Sequence, residues 1–419
     1  MTNWKKLKIE DCAEVIGGGT PSTKKKEYWD GDISWITPKD LSNYNNRYIS
    51  KGSRNISEKG LKYSSARLLP KNSVLLTTRA PIGYLAISKK ELATNQGFKS
   101  LIMKNGNVPE FFYYLLKNNI NKLLQYASGT TFMELNATNL KSIEFYIPEV
   151  YEQKRIASIL SSLDDKIELN NKTNKILEEM AQTIFKEWFI NFNFPNEYGK
   201  PYKKSGGEMI DSELGKIPKG WKVGTIGDIA REVICGKTPP TKDKENYGSY
   251  MPFITIPDMH NNIYVVKTER YLSKKGVNTQ SKKTIPKNSI CVSCIATVGV
   301  VSLVSEYSQT NQQINSIIPK GKVSSYWVYF YIKNIKDMII NYASSGTTTL
   351  NLNKSQFEKI KIIIPSDNLF MSFNEIAKSL FDMIINNQIE NEKLSNIRDS
   401  LLPKLMTPKG RRADGEIRV

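Results

Sequence analysis

Trp4-Lys-Lys-Leu-Lys-Ile-Glu-Asp-Cys-Ala-Glu-Val-Ile-Gly-Gly-Gly19 and Trp221-Lys-Val-Gly-Thr-Ile-Gly-Asp-Ile-Ala-Arg-Glu-Val-Ile-Cys-Gly-Lys237 decide the architecture, because the second stretch repeats the first. Trp4 matches Trp221 and Asp11 matches Asp228, both at 228 − 11 = 217. The match runs on through Thr20-Pro-Ser-Thr-Lys-Lys-Lys-Glu27 against Thr238-Pro-Pro-Thr-Lys-Asp-Lys-Glu245. Farther out, Leu69-Pro-Lys-Asn-Ser-Val74 meets Ile285-Pro-Lys-Asn-Ser-Ile290, and Thr94-Asn-Gln96 meets Thr310-Asn-Gln312 at 310 − 94 = 216. Ser128-Gly-Thr-Thr131 and Ile147-Pro148 return as Ser345-Gly-Thr-Thr348 and Ile364-Pro365. One register held over most of each half is the mark of duplication.

Each half has the same internal order. Short β-branched and aromatic runs, such as Ser73-Val-Leu-Leu-Thr-Thr78, alternate with Gly, Pro, Asn and Asp clusters, which signals strands and turns. One helical stretch interrupts them, Pro109-Glu-Phe-Phe-Tyr-Tyr-Leu-Leu-Lys117, matched by Ser325-Tyr-Trp-Val-Tyr-Phe-Tyr-Ile-Lys333. The helical spacing of its aromatics favours a core role over a stacking platform. The expected fold class is therefore α+β, with two similar domains at residues 1–149 and 217–366.

After Pro148 the pattern changes. Ile156, Leu160, Leu163, Ile167, Asn170, Asn174, Leu177, Ala181, Ile184 and Trp188 follow one another at steps of mostly 4 and 3, a heptad seam. After Pro365 the seam returns as Ile376, Leu380, Met383, Asn387, Glu390, Leu394, Ile397 and Leu401, each 220 beyond its counterpart, as 376 − 156 shows. Two long helices are expected, over 150–190 and 367–406, limited near their ends by Pro195 and Pro403. A linker at 191–216 and a tail at 407–419 complete the division. A seam so narrow cannot bury itself, so each helix is expected to pack on the other. Its polar middle either fixes register or opens to water. A 150–190 helix would run about 55 Å at ~1.5 Å per residue, against ~34 Å for a turn of DNA.

Composition narrows the function. The chain has 419 residues, 60 Lys plus Arg against 41 Asp plus Glu, and a formal net charge of +19. Such an excess suits a polyanionic partner, although a Lys-, Asn- and Ile-rich chain is also what an AT-rich genome encodes. No apolar run of about 18 residues is present and the N-terminus lacks a signal-peptide layout, so no membrane association and a cytoplasmic location are expected. The pair Cys291 and Cys294 forms a C-x-x-C without two further ligands at zinc spacing, and Ser289–Ile295 reads as a buried strand. With one histidine, His260, general acid–base schemes built on histidine are nearly excluded. Gly17-Gly-Gly-Thr-Pro21 lacks the Gly-Lys-Ser/Thr of a phosphate loop. Pro257-Asp258 followed by Glu269 faintly suggests a nuclease core, but the required Lys is missing. No catalytic residue, metal or cofactor is expected.

Gly18-Gly-Thr-Pro21 and its copy Gly236-Lys-Thr-Pro239, Thr94-Asn-Gln-Gly97, Ser128-Gly-Thr-Thr131, Glu152-Gln-Lys-Arg-Ile-Ala-Ser-Ile-Leu160, Ile217-Pro-Lys-Gly-Trp-Lys222 and Leu401-Leu-Pro-Lys-Leu405 carry a resemblance. Over nearly its whole length the chain resembles the specificity subunit of type I restriction–modification enzymes. The resemblance implies two target recognition domains, each reading half of a bipartite, asymmetric double-stranded DNA site. It implies that the helices form an antiparallel coiled coil that spaces the domains and docks two methyltransferase subunits. An endonuclease–translocase subunit would join the complex, and the subunit itself would do no chemistry. The second copy departs with Thr310-Asn-Gln-Gln313, and the tail from Thr407 interrupts the usual close. The alternatives are a recognition subunit of another restriction or methylation system, a stand-alone nuclease, or a scaffold that ignores DNA.

Phosphate contacts need Lys, Arg and small hydroxyls on loops; base contacts need Arg, Lys, Asn or Gln at groove edges. The candidates are Lys24, Lys25 and Lys26 with Lys242 and Lys244, which alternatively form only a solvated face. Arg79, on an apparent loop, could read guanine, and its counterpart Ile295 is apolar, as fits two domains reading different sequences. Gln96, Gln312 and Gln313 could pair with adenine or merely cap a turn. Thr20, Lys39, Tyr84, Thr130, Thr131, Lys237, Thr238, Thr297, Thr347 and Thr348 complete the set.

Overall fold

The structure, a computed structural model, describes residues 4–42, 44–79, 81–129, 133–344 and 350–408. It divides into two compact units, residues 1–168 with 393–419, and residues 169–392. Each unit therefore contains one copy of the repeated domain together with part of each long helix.

In the first unit a five-stranded sheet runs in the order Ala13–Gly17, Lys99–Met103, Val74–Thr78, Ile82–Ser88, Tyr48–Ile49. A three-stranded sheet orders Arg54–Ile56, Trp29–Ile36, Ala93–Thr94, and Lys5–Lys8 pairs antiparallel with Glu144–Ile147. The central strand is buried along its whole length, and its side chains alternate between two cores. Val74 and Leu76 join the cluster of the aromatic helix Pro109–Asn118, while Leu75 joins Ile36, Leu92 and Phe98. Phe111 through Leu116 are all buried, so this helix is core, as its spacing indicates.

The second unit repeats the topology. Its five strands order Ala230–Cys235, Ile314–Pro319, Ile290–Ser293, Val301–Val304, Tyr264–Val265, and its three order Arg270–Leu272, Tyr247–Ile254, Gln309–Thr310. Ile290 and Val292 face the aromatic helix Ser325–Asn334, and Cys291 faces the opposite core. The segment 191–216 is not a bare linker. Met209–Ile210 pairs with Ile217–Pro218, and Phe194 stacks on both Tyr202 and Trp221, at 4.6 and 5.3 Å between ring centroids.

The first long helix is α-helical over Val150–Phe185 and closes in a π-helical turn at Lys186–Ile190. Ile156, Leu160, Ile167, Asn170, Asn174 and Leu177 are buried and Leu163 partly so. The π turn makes Phe189, rather than Trp188, the fully buried ring. Within the second unit the polar seam positions are satisfied by each other. Asn170 Nδ2 donates to Glu390 Oε2 at 2.8 Å and to Asn391 Oδ1 at 2.9 Å, and Asn387 Nδ2 donates to Asn174 Oδ1 at 2.8 Å. Numbers rise on one helix as they fall on the other, which makes the pair antiparallel.

Along the second long helix, Asp367–Leu405, polar heptad residues meet the first helix while three apolar ones stay exposed. Ile376, Met383 and Ile397 are 38%, 50% and 47% exposed. Leu380, Asn387, Glu390, Leu394 and Leu401 are only partly buried. The buried positions lie one residue on: Ala377, Phe381, Ile384, Leu402 and Leu405. The cause is Phe381, which stands where the first copy has Ser161 (381 − 161 = 220). Its ring lies 4.5 Å from Tyr326 and 5.7 Å from Phe330, so the helix is turned to seat it in the domain core. Pro403 does not stop this helix, which continues to Leu405. A proline in the last turn removes only one bond from the ladder.

The two domains seat on their helices by different chemistry. In the first unit Arg47, 2% exposed, pairs with Asp164, Asp165 and Glu168, and its backbone N–H donates to Glu168 Oε1 at 2.8 Å. Tyr114 Oη donates to Asp164 Oδ2 at 2.6 Å, and Arg398 Nη1 reaches Asp164 Oδ1 at 2.5 Å. Burial by itself lowers the Arg47 pKa; Tyr114 and the three carboxylates more than reverse this and hold it raised. In the second unit the matching positions are Ile263, Phe330 and Ile384, all apolar. There the edge strand meets the helix one residue on, Tyr264 N–H donating to Gln388 Oε1 at 3.0 Å and Gln388 Nε2 donating to Tyr264 O at 3.1 Å, while Tyr329 and Lys333 both bond Glu178 at 2.6 Å. Among the described residues no helix is long and apolar enough to cross a membrane.

Candidate nucleic-acid interface

The site begins with two glycines. A Cβ on Gly18 would sit 2.0 Å from the Asn95 carbonyl oxygen, and one on Gly236 would sit 2.2 Å from that of Asn311. Only glycine lets these two backbones cross so closely. The next residues are clamped: Gly19 N–H donates to Thr94 O at 2.9 Å, and Lys237 N–H to Thr310 O at 2.9 Å. This crossing joins the Gly-x-Thr-Pro loop to the Thr-Asn-Gln turn and places Thr20 beside Gln96. Thr20 Oγ1 donates to Gln96 Oε1, and in the copy Thr238 Oγ1 donates to Gln312 Oε1 at 2.6 Å. Gln313 is tied inward instead, its Oε1 accepting from Asn311 Nδ2 at 3.0 Å and its N–H donating to Asn311 Oδ1 at 3.1 Å.

The loop that follows carries the lysines. Lys24, Lys25, Lys26, Lys242 and Lys244 are exposed, as are Lys39 and Lys237. Lys25 bonds Tyr28 Oη at 3.0 Å, and its counterpart Asp243 pairs with Lys275 at 3.0 Å.

Arg79 sits in the turn after the central strand, next to the glutamine. Thr78 N–H donates to Gly97 O at 2.8 Å, and Cys294 N–H to Gln313 O at 2.8 Å, so the two turns are held alike. Arg79 is exposed and its Nε lies 3.5 Å from Glu134 Oε2. Tyr84 is half-buried, its N–H donating to Thr77 Oγ1 at 2.8 Å, and Thr297 is exposed. Thr130, Thr131, Thr347 and Thr348 lie outside the described residues, as do 409–419 of the tail.

Sequence reasoning missed Arg54 and Arg270. Both are exposed on matching strands at a shift of 270 − 54 = 216, and the Arg54 guanidinium lies 3.6 Å from the Trp29 ring centroid. The shared register was the available signal.

The other chemistry proposed from sequence is occupied elsewhere. Asp258 caps a turn by accepting from Thr255 N–H at 2.8 Å and from Glu269 N–H at 2.8 Å. Asp40 does the same with Thr37 at 2.8 Å and Ser53 at 2.7 Å, so the aspartate belongs to a repeated turn. Burial pushes the thiols of Cys291 and Cys294 up to about 12, as befits small core side chains. Among the described residues no group of three or more His, Cys, Asp or Glu could hold a metal ion.

The family described as Type I restriction modification DNA specificity domain matches residues 1–179 and 218–399. The chain is 38% identical to the Type I restriction enzyme MjaIX specificity subunit of Methanocaldococcus jannaschii, covering 100% of this chain and 94% of that one. It is 35% identical to the Type I restriction enzyme HindI specificity subunit of Haemophilus influenzae, covering 97% and 99%. Its fold is similar to the crystal structure of a Type-I restriction-modification system S subunit from M. genitalium, with a TM-score of 0.60 at 17% identity over 97% of this chain and 96% of that one. The duplicated domain, the paired helices and these likenesses lead to one conclusion: the chain belongs to the type I restriction–modification specificity subunits.

Proposed function

We propose that each recognition domain reads one half of a bipartite, asymmetric duplex site, while the chain itself makes and breaks no bonds. The observation that carries this is the duplicated patch. The same loop crossing, with Thr20–Gln96 in one domain and Thr238–Gln312 in the other, stands beside exposed lysines in both. Two equivalent basic surfaces on one chain suit a DNA site with two halves. The net charge of +19 supports a polyanionic partner.

The paired helices then act as the spacer that sets the unread gap, and their outer faces dock the methyltransferase subunits. Exposed Ile376 and Met383 stand seven residues apart on the second helix and offer apolar surface to a partner. Assembly with two methyltransferase subunits, and through them with the endonuclease–translocase subunits, follows from the same reading.

Titrating duplex DNA into the chain assembled with its methyltransferase, at ~50 and ~200 mM salt, tests DNA engagement. A protein making several phosphate contacts loses about 10³-fold or more in affinity across that range. Affinity that is equal at both salts, or equal without this chain, points to the scaffold reading.

A further inference from the structure

Duplication places two solutions to one problem on a single chain, and comparing them sorts the outward-facing residues. Some shared residues are satisfied inside the domain. Asp40 and Asp258 cap turns, and Lys59 and Lys275 pair with Glu27 and Glu245 at 3.2 and 2.6 Å. These are framework. Other shared residues face outward. Lys24 and Lys242, and Lys26 and Lys244, are exposed and have no ion-pair partner among the described residues. Gln96 and Gln312 are exposed too, each with its carbonyl oxygen taken by a threonine hydroxyl. Among the described residues no partner is seen for either amide nitrogen, whose N–H groups match acceptor-only phosphate oxygens.

A third set differs between copies, and of it only Arg79 is exposed. Arg79 stands where the second domain has Ile295, Tyr84 where it has Val300, and Gly97 where it has Gln313, all at a shift of 216 (295 − 79). Arg79 and Ile295 adjoin the glutamine through the Thr78–Gly97 and Cys294–Gln313 backbone bonds, both 2.8 Å.

We propose that the threonine-buttressed glutamines and the paired lysines of both domains form a sequence-independent anchor for DNA phosphates. Base discrimination comes from the divergent turn beside them, with Arg79 its principal reader in the first domain. This rests on the half-site reading above and assigns its parts. Two domains that read different bases cannot discriminate with an identical donor in an identical setting. The shared glutamine therefore positions the duplex, and only what differs can specify it. Arg79 fits the second role because it is exposed beside the glutamine turn, and a guanidinium supplies the paired donors that meet guanine O6 and N7.

The test uses the chain co-assembled with its methyltransferase. Host DNA is sequenced for methyladenine, and affinity is measured on cognate duplex and on duplex with one half-site scrambled. Gln96→Ala is expected to weaken both duplexes alike, by about threefold to tenfold, and to leave the methylated motif unchanged. Gln96→Glu keeps the acceptor for Thr20 but turns an anionic oxygen to the phosphate, so it is expected to weaken both further. Lys24→Ala with Lys26→Ala is expected to flatten the log–log salt slope by about 1.8, at ~0.9 per lost phosphate contact. Arg79→Ala is expected to relax one position in one half of the motif. A Gln96→Ala motif with altered bases, or an unchanged Arg79→Ala motif, overturns the assignment. A wild-type motif that is not split contradicts the half-site reading itself, and is distinguished from both by that control.

Discussion

Arg47 was invisible as a keystone in the sequence, because its partners lie more than a hundred residues away on a helix. Nearly excluded from water, it is balanced by Asp164, Asp165 and Glu168. Removing one partner of a buried ionic cluster leaves uncompensated charge, a cost of about 3–5 kcal/mol. Arg47→Ala is therefore expected to lower the denaturant midpoint of the first unit while sparing the second, where Ile263 holds the matching place. Equal loss in both units, or none, contradicts the account. The cysteines give a second prediction. Only Cys235 is partly accessible, since Cys12, Cys291 and Cys294 are buried. A native thiol titration at mild alkaline pH is expected to count one reactive group, and a denatured one four. Because folding raises the Cys291 and Cys294 thiols from 9.0 to about 12, their contribution is complete below pH 9. It is lost as pH rises toward 12, when the unfolded thiols ionise first. Replacing both by valine is expected to flatten that alkaline decline. The residue chemistry of a C-x-x-C on a buried strand was legible in sequence; the Thr20–Gln96 pair was not, since its members stand 76 apart.

At the scale of elements, period and face separate. Heptad spacing announced both long helices and their polar middle, and the first helix buries the face it announced. The second keeps Asn387 and Glu390 bonded to the first helix but buries Phe381 rather than the apolar heptad residues Ile376 and Met383. An aromatic ring seated among Tyr326, Tyr329 and Phe330 contributes more by burial than Met383 facing the first helix would. Phe381→Ala is expected to cost the second unit about 3–5 kcal/mol, read by thermal or denaturant unfolding. Met383→Asp is expected to leave that stability within about 0.5 kcal/mol, as at an exposed site, while reducing co-purification of the methyltransferase. The opposite ranking restores the seam read from sequence. The faces of the domain strands were easier to read, since Val74, Leu75 and Leu76 alternate between two cores whatever covers them.

On the scale of the whole molecule, the repeat register was the strongest signal and the fold follows it closely. Both five-stranded and both three-stranded sheets keep one strand order, and the Gly18 and Gly236 crossings are copies. Turns that carry shared motifs were legible as repeated turns because the duplication served as its own alignment. Their division into framework and outward-facing residues was not, for it depends on which carboxylates and hydroxyls each side chain meets in three dimensions. The half-site reading makes a definite prediction for the assembled enzyme. Co-expression of this chain with its methyltransferase, followed by long-read mapping of methyladenine in host DNA, tests it most directly. The account predicts a split motif whose two specified halves flank an unread gap of constant length, absent when this chain is omitted. Methylation at one continuous site, or a pattern unchanged without the chain, would contradict it.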